Sequence, residues 1–107
     1  MKLDGDINIP DAKLGYLLNW RQENDKSGMM ARLGFTSDNA DELRQAILLL
    51  VATYDAVLAG NNGHGNVYEV TGELLGPSGS RVLVSVWIQL IGKQSYNFVT
   101  LRPPRKR

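Results

Sequence analysis

Residues 81–91, RVLVSVWIQLI, alternate with the period of two that a β-strand converts into two faces. Val82, Val84, Val86, Ile88 and Leu90 recur on one side without interruption, and this apolar set is expected to pack on the rest of the core. Arg81, Leu83, Ser85, Trp87, Gln89 and Ile91 fall on the other side, a mixture of charge, hydroxyl, amide and aromatic ring. The segment is bracketed by two turn signals, GPSG at 76–79 and GKQS at 92–95. Beyond each lies another period-two stretch, 67–75 before and 96–102 after. Three strands joined by two short turns predict an antiparallel meander.

The flanking strands sort in the same way. In the first, Val67, Glu69, Thr71 and Glu73 oppose Tyr68, Val70 and Leu74; in the last, Tyr96, Phe98, Thr100 and Arg102 oppose Asn97, Val99 and Leu101. With the more apolar sets turned inward, the uncovered face is expected to collect Glu69, Thr71, Glu73, Arg81, Ser85, Trp87, Gln89, Phe98, Thr100 and Arg102. That face would offer carboxylates, guanidinium groups, hydroxyls and an aromatic platform. The same alternation is also what a half-solvated sheet needs merely to fold.

Upstream the period becomes helical. Over 40–58, Leu43, Ala46, Ile47, Leu50, Val51, Tyr54, Val57 and Leu58 form one stripe, and Asn39 followed three residues later by Glu42 has the spacing of a capping box. Two shorter helices are expected in IPDAKLGYLLN at 9–19, where Pro10 suits a first turn, and in MMARLG at 29–34, separated by the polar stretch WRQENDKSG. The expected fold is therefore α+β, with N-terminal helices packed on one face of a three- or four-stranded antiparallel meander. It forms a single domain over 1–107, helical to about residue 59, sheet over about 66–103, and a basic tail at 104–107.

Composition narrows the chemistry. At 107 residues there is room for one core and no separate cofactor domain. With no cysteine and a single histidine, a disulfide framework, a thiolate nucleophile, a zinc knuckle and a His-rich metal site are all excluded, so neither metal nor cofactor is expected. The longest apolar run, AILLLVA at 46–52, is far short of a membrane span, and MKLDGDIN is too polar for a secretory signal, so a soluble, cytoplasmic protein is expected.

Charge is unevenly spread. Residues 1–73 hold all 11 acidic residues and six of the 12 basic ones, a net of −5. Residues 74–107 hold the other six basic residues and no acid, a net of +6. Such asymmetry points to a polyanionic partner, although four of those six charges lie in the last six residues, where a solvated tail accounts for them equally well. Within GNNGHGNVYEV at 60–70 sits the lone imidazole, His64, either a proton-transfer group suited to neutral pH or an ordinary turn residue. GPSG is a hairpin turn and no phosphate loop, since it lacks the lysine and the helix such a loop requires.

KLGYLLN at 13–19, LGF at 33–35, HGNVYEVTGELLGPSG at 64–79, VSVWI at 84–88 and FVTLRP at 98–103 carry a resemblance over nearly the whole chain. They resemble a small bacterial domain of unknown function, found alone, notably in cyanobacteria, and at the C-termini of phage-head-like and contact-dependent toxin proteins. More distantly, the last two strands resemble those of the barnase, EndoU, colicin and RelE group of metal-independent ribonuclease toxins. That resemblance implies helices followed by a sheet whose open face meets RNA. It places Lys13, Ser85, Trp87 and Thr100 at motif positions, and His64 where the domain more often carries a tyrosine.

The function expected from these two lines together is a small endoribonuclease toxin that drives the ribose 2′-OH onto the adjacent phosphate. His64 or Glu69 would move protons, Lys13, Ser85 and Thr100 would stabilise the phosphorane, and Arg81, Trp87 and Arg102 would hold the RNA. Such an enzyme implies a small acidic antitoxin or immunity protein as partner. The alternative is a non-catalytic module of the same setting, itself an antitoxin, an immunity protein or a phage-associated binding domain.

Overall fold

The computed structural model describes residues 2, 3, 5–18 and 26–104, so Asn19 and most of the polar stretch after the first helix, and the last three residues of the basic tail, lie outside the described residues. In chain order the elements are β1 (Asp6–Asn8), α1 (Asp11–Leu18), α2 (Lys26–Leu33), a 3₁₀ turn (Ser37–Asn39), α3 (Ala40–Thr53), β2 (Ala56–Asn61), β3 (Gly65–Gly76), β4 (Gly79–Leu90) and β5 (Ser95–Arg102). The strands form one sheet in the order β1-β5-β4-β3-β2, antiparallel except for the short parallel contact of β1 with β5. The class is α+β with the helices on one face, as expected; the sheet has five strands where three or four were expected.

The two extra strands come from segments too short or too helical in pattern to be read alone. Val57 and Leu58 continue the stripe of α3, yet the helix ends at Thr53, with Tyr54 at φ −110 and ψ 150, and Ala56–Asn61 pair with β3. Tertiary pairing overrides the helical period here, because the edge of β3 from Asn66 to Val70 gains a ladder that a longer helix could not give. The part of the stripe that does form helix behaves as expected: Leu43, Ile47, Leu50 and Val51 are buried. At the other end the capping box sits one turn earlier than its expected place. Thr36 and Asn39 cap the 3₁₀ turn reciprocally, while Asn39 Nδ2 donates to Glu42 Oε2 at 2.6 Å and to Gly34 O at 2.9 Å.

Register decides which side of β4 is buried, and it reverses the expectation. Tyr68, Val70, Gly72 and Leu74 of β3 stand opposite Trp87, Ser85, Leu83 and Arg81. Residues directly opposite in an antiparallel pair share a face, so burying Tyr68, Val70 and Leu74 carries Trp87, Ser85 and Leu83 inward with them. Trp87 packs edge-on against Phe98 at 5.2 Å between ring centroids, and Tyr68 against Tyr96 at 5.6 Å. The unbroken aliphatic column Val82 to Leu90 lies on the side away from the helices. A bulge in β5 completes the inward face: Trp87 opposes Phe98 and Val86 opposes Thr100, which leaves Val99 as the extra residue. The bulge shifts the alternation by one, so Tyr96 and Phe98 before it and Leu101 after it all enter the core.

The helices pack on this core through Leu14 and Leu17 of α1, Met30 and Leu33 of α2 and the buried stripe of α3, and Arg44 of α3 adds polar ties between elements. Its guanidinium pairs with Asp41, 2.8 Å away, and with Asp11 at the start of α1, and donates to Ile9 O at 3.3 Å just after β1. One side chain thereby joins the short first strand, the first helix and the longest helix.

Candidate functional site

The face of the sheet away from the helices carries two rows of side chains across three strands. Glu69, Val86 and Thr100 form one row, and Thr71, Val84 and Arg102 the next. Neighbouring strands are about 4.8 Å apart, so Glu69 and Arg102 lie one strand removed from each other. Their long side chains close that gap diagonally: Arg102 Nη2 donates to Glu69 Oε2 at 2.7 Å. Val84 lies on the open face yet is only 3% exposed, consistent with cover by the pair above it. Thr71 is exposed and Thr100 half-buried; the hydroxyl of Thr100 donates to Leu101 O at 3.2 Å. The surroundings are aliphatic, with Val82 and Val99 partly exposed and Val86 and Ile88 half-buried.

The carboxylate and the guanidinium are in contact over an aliphatic floor and remain 32% and 25% exposed. The apolar floor lowers the local dielectric, and the bond fixes the orientation of both groups. An arriving phosphate can take the place of the carboxylate on the arginine, since both present two oxygens that the planar guanidinium fork can engage together. The carboxylate released by that exchange is then a proton acceptor within reach of the same phosphate.

Of the eight residues expected to act together, three share this face: Glu69, Thr100 and Arg102. Ser85 and Trp87 do not, and their expected placement on the uncovered face is corrected by the β3–β4 register. Both are fully buried; the Ser85 hydroxyl donates to Val70 O at 3.0 Å and accepts from Trp87 Nε1 at 2.9 Å. That hydroxyl has spent its one proton inside the core, and the indole has no face left on which a base could stack. Phe98, also expected outside, is 2% exposed for the same reason. Arg81 is exposed at the end of the β3–β4 hairpin but opposite buried Leu74, on the helix side of the sheet. Lys13 is exposed on α1, in the helical layer behind the sheet.

His64 occupies the tip of the β2–β3 hairpin. Two asparagines shape that tip: Asn62 Oδ1 accepts from the backbone N–H of His64 at 3.0 Å and of Gly65 at 3.2 Å, and Asn61 Oδ1 accepts from Gly63 N at 2.8 Å. Gly63 has φ +87, which suits a residue without a Cβ. The imidazole is exposed, and it stands five residue steps from Glu69, about 16 Å at the rise of a β-strand. The two proton-transfer candidates therefore do not converge. The pairing of Glu69 with Arg102 across an intervening strand was missed in the sequence; two residues of opposite charge 33 positions apart give no signal until the order of the strands is known.

No group of three or more His, Asp or Glu side chains among the described residues is placed to hold a metal ion. No described helix is long and apolar enough to cross a membrane.

Comparison with known proteins gives two matches. The family model described as Domain of unknown function (DUF6883) matches residues 5–105. Among solved structures, a chain of the contact-dependent growth inhibition toxin - immunity protein complex from Klebsiella pneumoniae 342 has a similar fold, with a TM-score of 0.69 and 21% sequence identity over 90% of this chain and 98% of that one. No curated protein matches.

Proposed function

We propose, from the premise that this chain belongs to the DUF6883 family of domains of unknown function, that it is the toxic partner of a toxin–immunity pair and acts as a metal-independent endoribonuclease. The observation that carries this reading is the Glu69–Arg102 pair, 2.7 Å apart on the open face of the sheet. The likeness of fold to a chain of a growth-inhibition toxin–immunity complex supports the setting.

In this reading a phosphodiester displaces Glu69 from Arg102, whose paired N–H groups then hold the two non-bridging oxygens. Glu69 removes the proton of the neighbouring 2′-OH, that oxygen attacks phosphorus, and the 5′-oxygen leaves, taking a proton from the solvent to which the face is open. The products are a 2′,3′-cyclic phosphate and a free 5′-hydroxyl. Thr71 and Thr100 stand in the adjacent positions from which a hydroxyl can steady the phosphorane. His64, Arg81 and Lys13 lie away from this point and take no part in the step. The cellular RNA would be met in the cytoplasm, and a small acidic immunity protein would neutralise Arg102 together with the basic C-terminal third.

The test is expression without a partner. Growth arrest with RNA fragments ending in cyclic phosphate is expected from the parent chain. Glu69→Gln, which keeps the shape and a hydrogen bond to Arg102, should lower the cleavage rate by roughly 10²–10⁴ while melting close to the parent. If folded Glu69→Gln cleaves as fast as the parent, the chemistry lies elsewhere, and His64 becomes the group to examine. If the parent chain leaves growth and RNA untouched, the immunity or binding-module reading takes its place.

A further inference from the structure

The β2 ladder stops short of the strand it pairs with. β2 covers β3 only from Asn66 to Val70, whereas β3 continues to Gly76 and remains paired with β4 on its other edge along the whole length. Among the described residues no strand lies beside Thr71–Gly76 on the β2 side. The backbone N–H and C=O groups that point outward along this stretch are a template for one more strand.

Helix α3 runs beside the same stretch and makes a groove with it. Near the start of the helix a cleft of about 400 Å³ is lined by Phe35, Leu75 and Pro77 with Asp41 and Glu42 at its rim. Near the end of the helix a second hollow of about 70 Å³ is lined by Leu49, Thr53, Tyr54 and Glu73, and Leu75 borders both. Leu49 and Leu75 are 54% and 51% exposed, large apolar side chains left open beside an open strand edge. Among the described residues, every charged one that lines the groove is acidic.

We propose that Thr71–Gly76 and α3 form a strand-addition site for an extended segment of another protein, about six residues long, with apolar side chains at alternate positions and lysine or arginine between them. Added beside β3, such a segment would turn one set of side chains toward Leu49 and Ala46 of α3. The alternate set would come cross-strand from Glu73, with Asp41 and Glu42 at one end of the groove. Apolar residues suit the first set and cations the second. The length is limited by the fold: the site begins where β2 starts, opposite Val70, and ends at the hairpin. A second copy of this chain is a poor occupant, because edge-to-edge pairing would bring Glu73, Asp41 and Glu42 of both copies together. The site borders the Glu69–Arg102 face and shares Thr71 and Glu73 with it, but the open edge of β3 and the groove beside α3 hold whether or not that face cuts RNA.

The experiment follows backbone amides of the full chain by two-dimensional NMR during titration with the peptide acetyl-Lys-Val-Lys-Val-Lys-Val-amide. Controls are the Glu-Val counterpart and the same basic peptide with its central valine replaced by proline. The basic peptide should shift the amides of Thr71, Glu73, Leu75 and Leu49, and the acidic and proline peptides should not. Leu49→Lys and Glu73→Lys, both changes of exposed side chains, should each weaken binding about tenfold or more. The proposal is overturned if those amides stay still, if the shifts fall instead around Glu69 and Arg102, or if the proline peptide binds equally well. It is overturned too if both substitutions leave the affinity unchanged, or if Thr71–Leu75 shift with protein concentration alone, which would make a second copy the occupant.

Discussion

Ser85→Ala separates a catalytic hydroxyl from a structural one. In the core, Ser85 Oγ accepts from Trp87 Nε1 at 2.9 Å and donates to Val70 O at 3.0 Å, with both residues fully buried. Removing the oxygen strands the indole N–H where no water replaces it, a cost of about 1–3 kcal/mol, and deletes a neutral hydrogen bond worth about 0.5–1.5 kcal/mol. The expected loss is on the order of 2–4 kcal/mol, a large share of the roughly 5–15 kcal/mol that holds a typical domain together. For a chain of this size that corresponds to a fall in Tm of roughly 10–25 °C. Urea unfolding followed by tryptophan fluorescence measures it, with an unchanged m-value showing that the two states themselves are the same. A double-mutant cycle then identifies the source. In a Trp87→Phe background there is no N–H to strand, so Ser85→Ala should cost about 1 kcal/mol, giving a coupling of about 1–3 kcal/mol. RNA cleavage per folded molecule, at a temperature where both proteins are folded, should equal the parent's. A Ser85→Ala variant that melts with the parent and fails to cleave would refute the buried-network account and return the hydroxyl to the active face.

Gly72→Ala should destabilise by about 1–3 kcal/mol, because a Cβ there would stand 2.2 Å from the Tyr54 ring; Tyr54→Ala in the same chain should recover part of the loss, read from paired melting curves. His64→Ala and His64→Tyr should melt within about 1 °C of the parent, since the imidazole is exposed and the hairpin tip is shaped by Asn61 and Asn62; in the proposed mechanism cleavage falls less than about tenfold in either, whereas a loss of 10²-fold or more would place the imidazole in proton transfer. Truncation of residues 105–107 should flatten the dependence of RNA affinity on salt by a slope of up to about 0.7 for each cation removed, and an unchanged slope would mean that the tail does not touch RNA.

Much of the architecture was legible because it rests on local physics. The periods of β3, β4 and β5 and the turns GPSG and GKQS depend only on neighbouring residues, so the meander could be read directly. The stripe Leu43, Ile47, Leu50 and Val51 likewise shows its helix without any knowledge of what covers it. Charge asymmetry and the absence of cysteine limited the chemistry on composition alone. What could not be read was which side of β4 is inside. By hydrophobicity the Val82–Leu90 column is the better core, and it lies outside, because burial is assigned to cross-strand sets and not to single strands. Tyr68, Val70 and Leu74 bring Trp87, Ser85 and Leu83 in with them, and the one polar member is satisfied there by Trp87 and a carbonyl. The bulge at Val99 then turns Thr100 and Arg102 outward while keeping Phe98 and Leu101 inside, and so delivers Arg102 to Glu69 across β4. Alternation within a strand is a property of the backbone pleat and is written in the sequence; the choice between its two faces is a free-energy comparison over the whole sheet, and only the assembled register makes it.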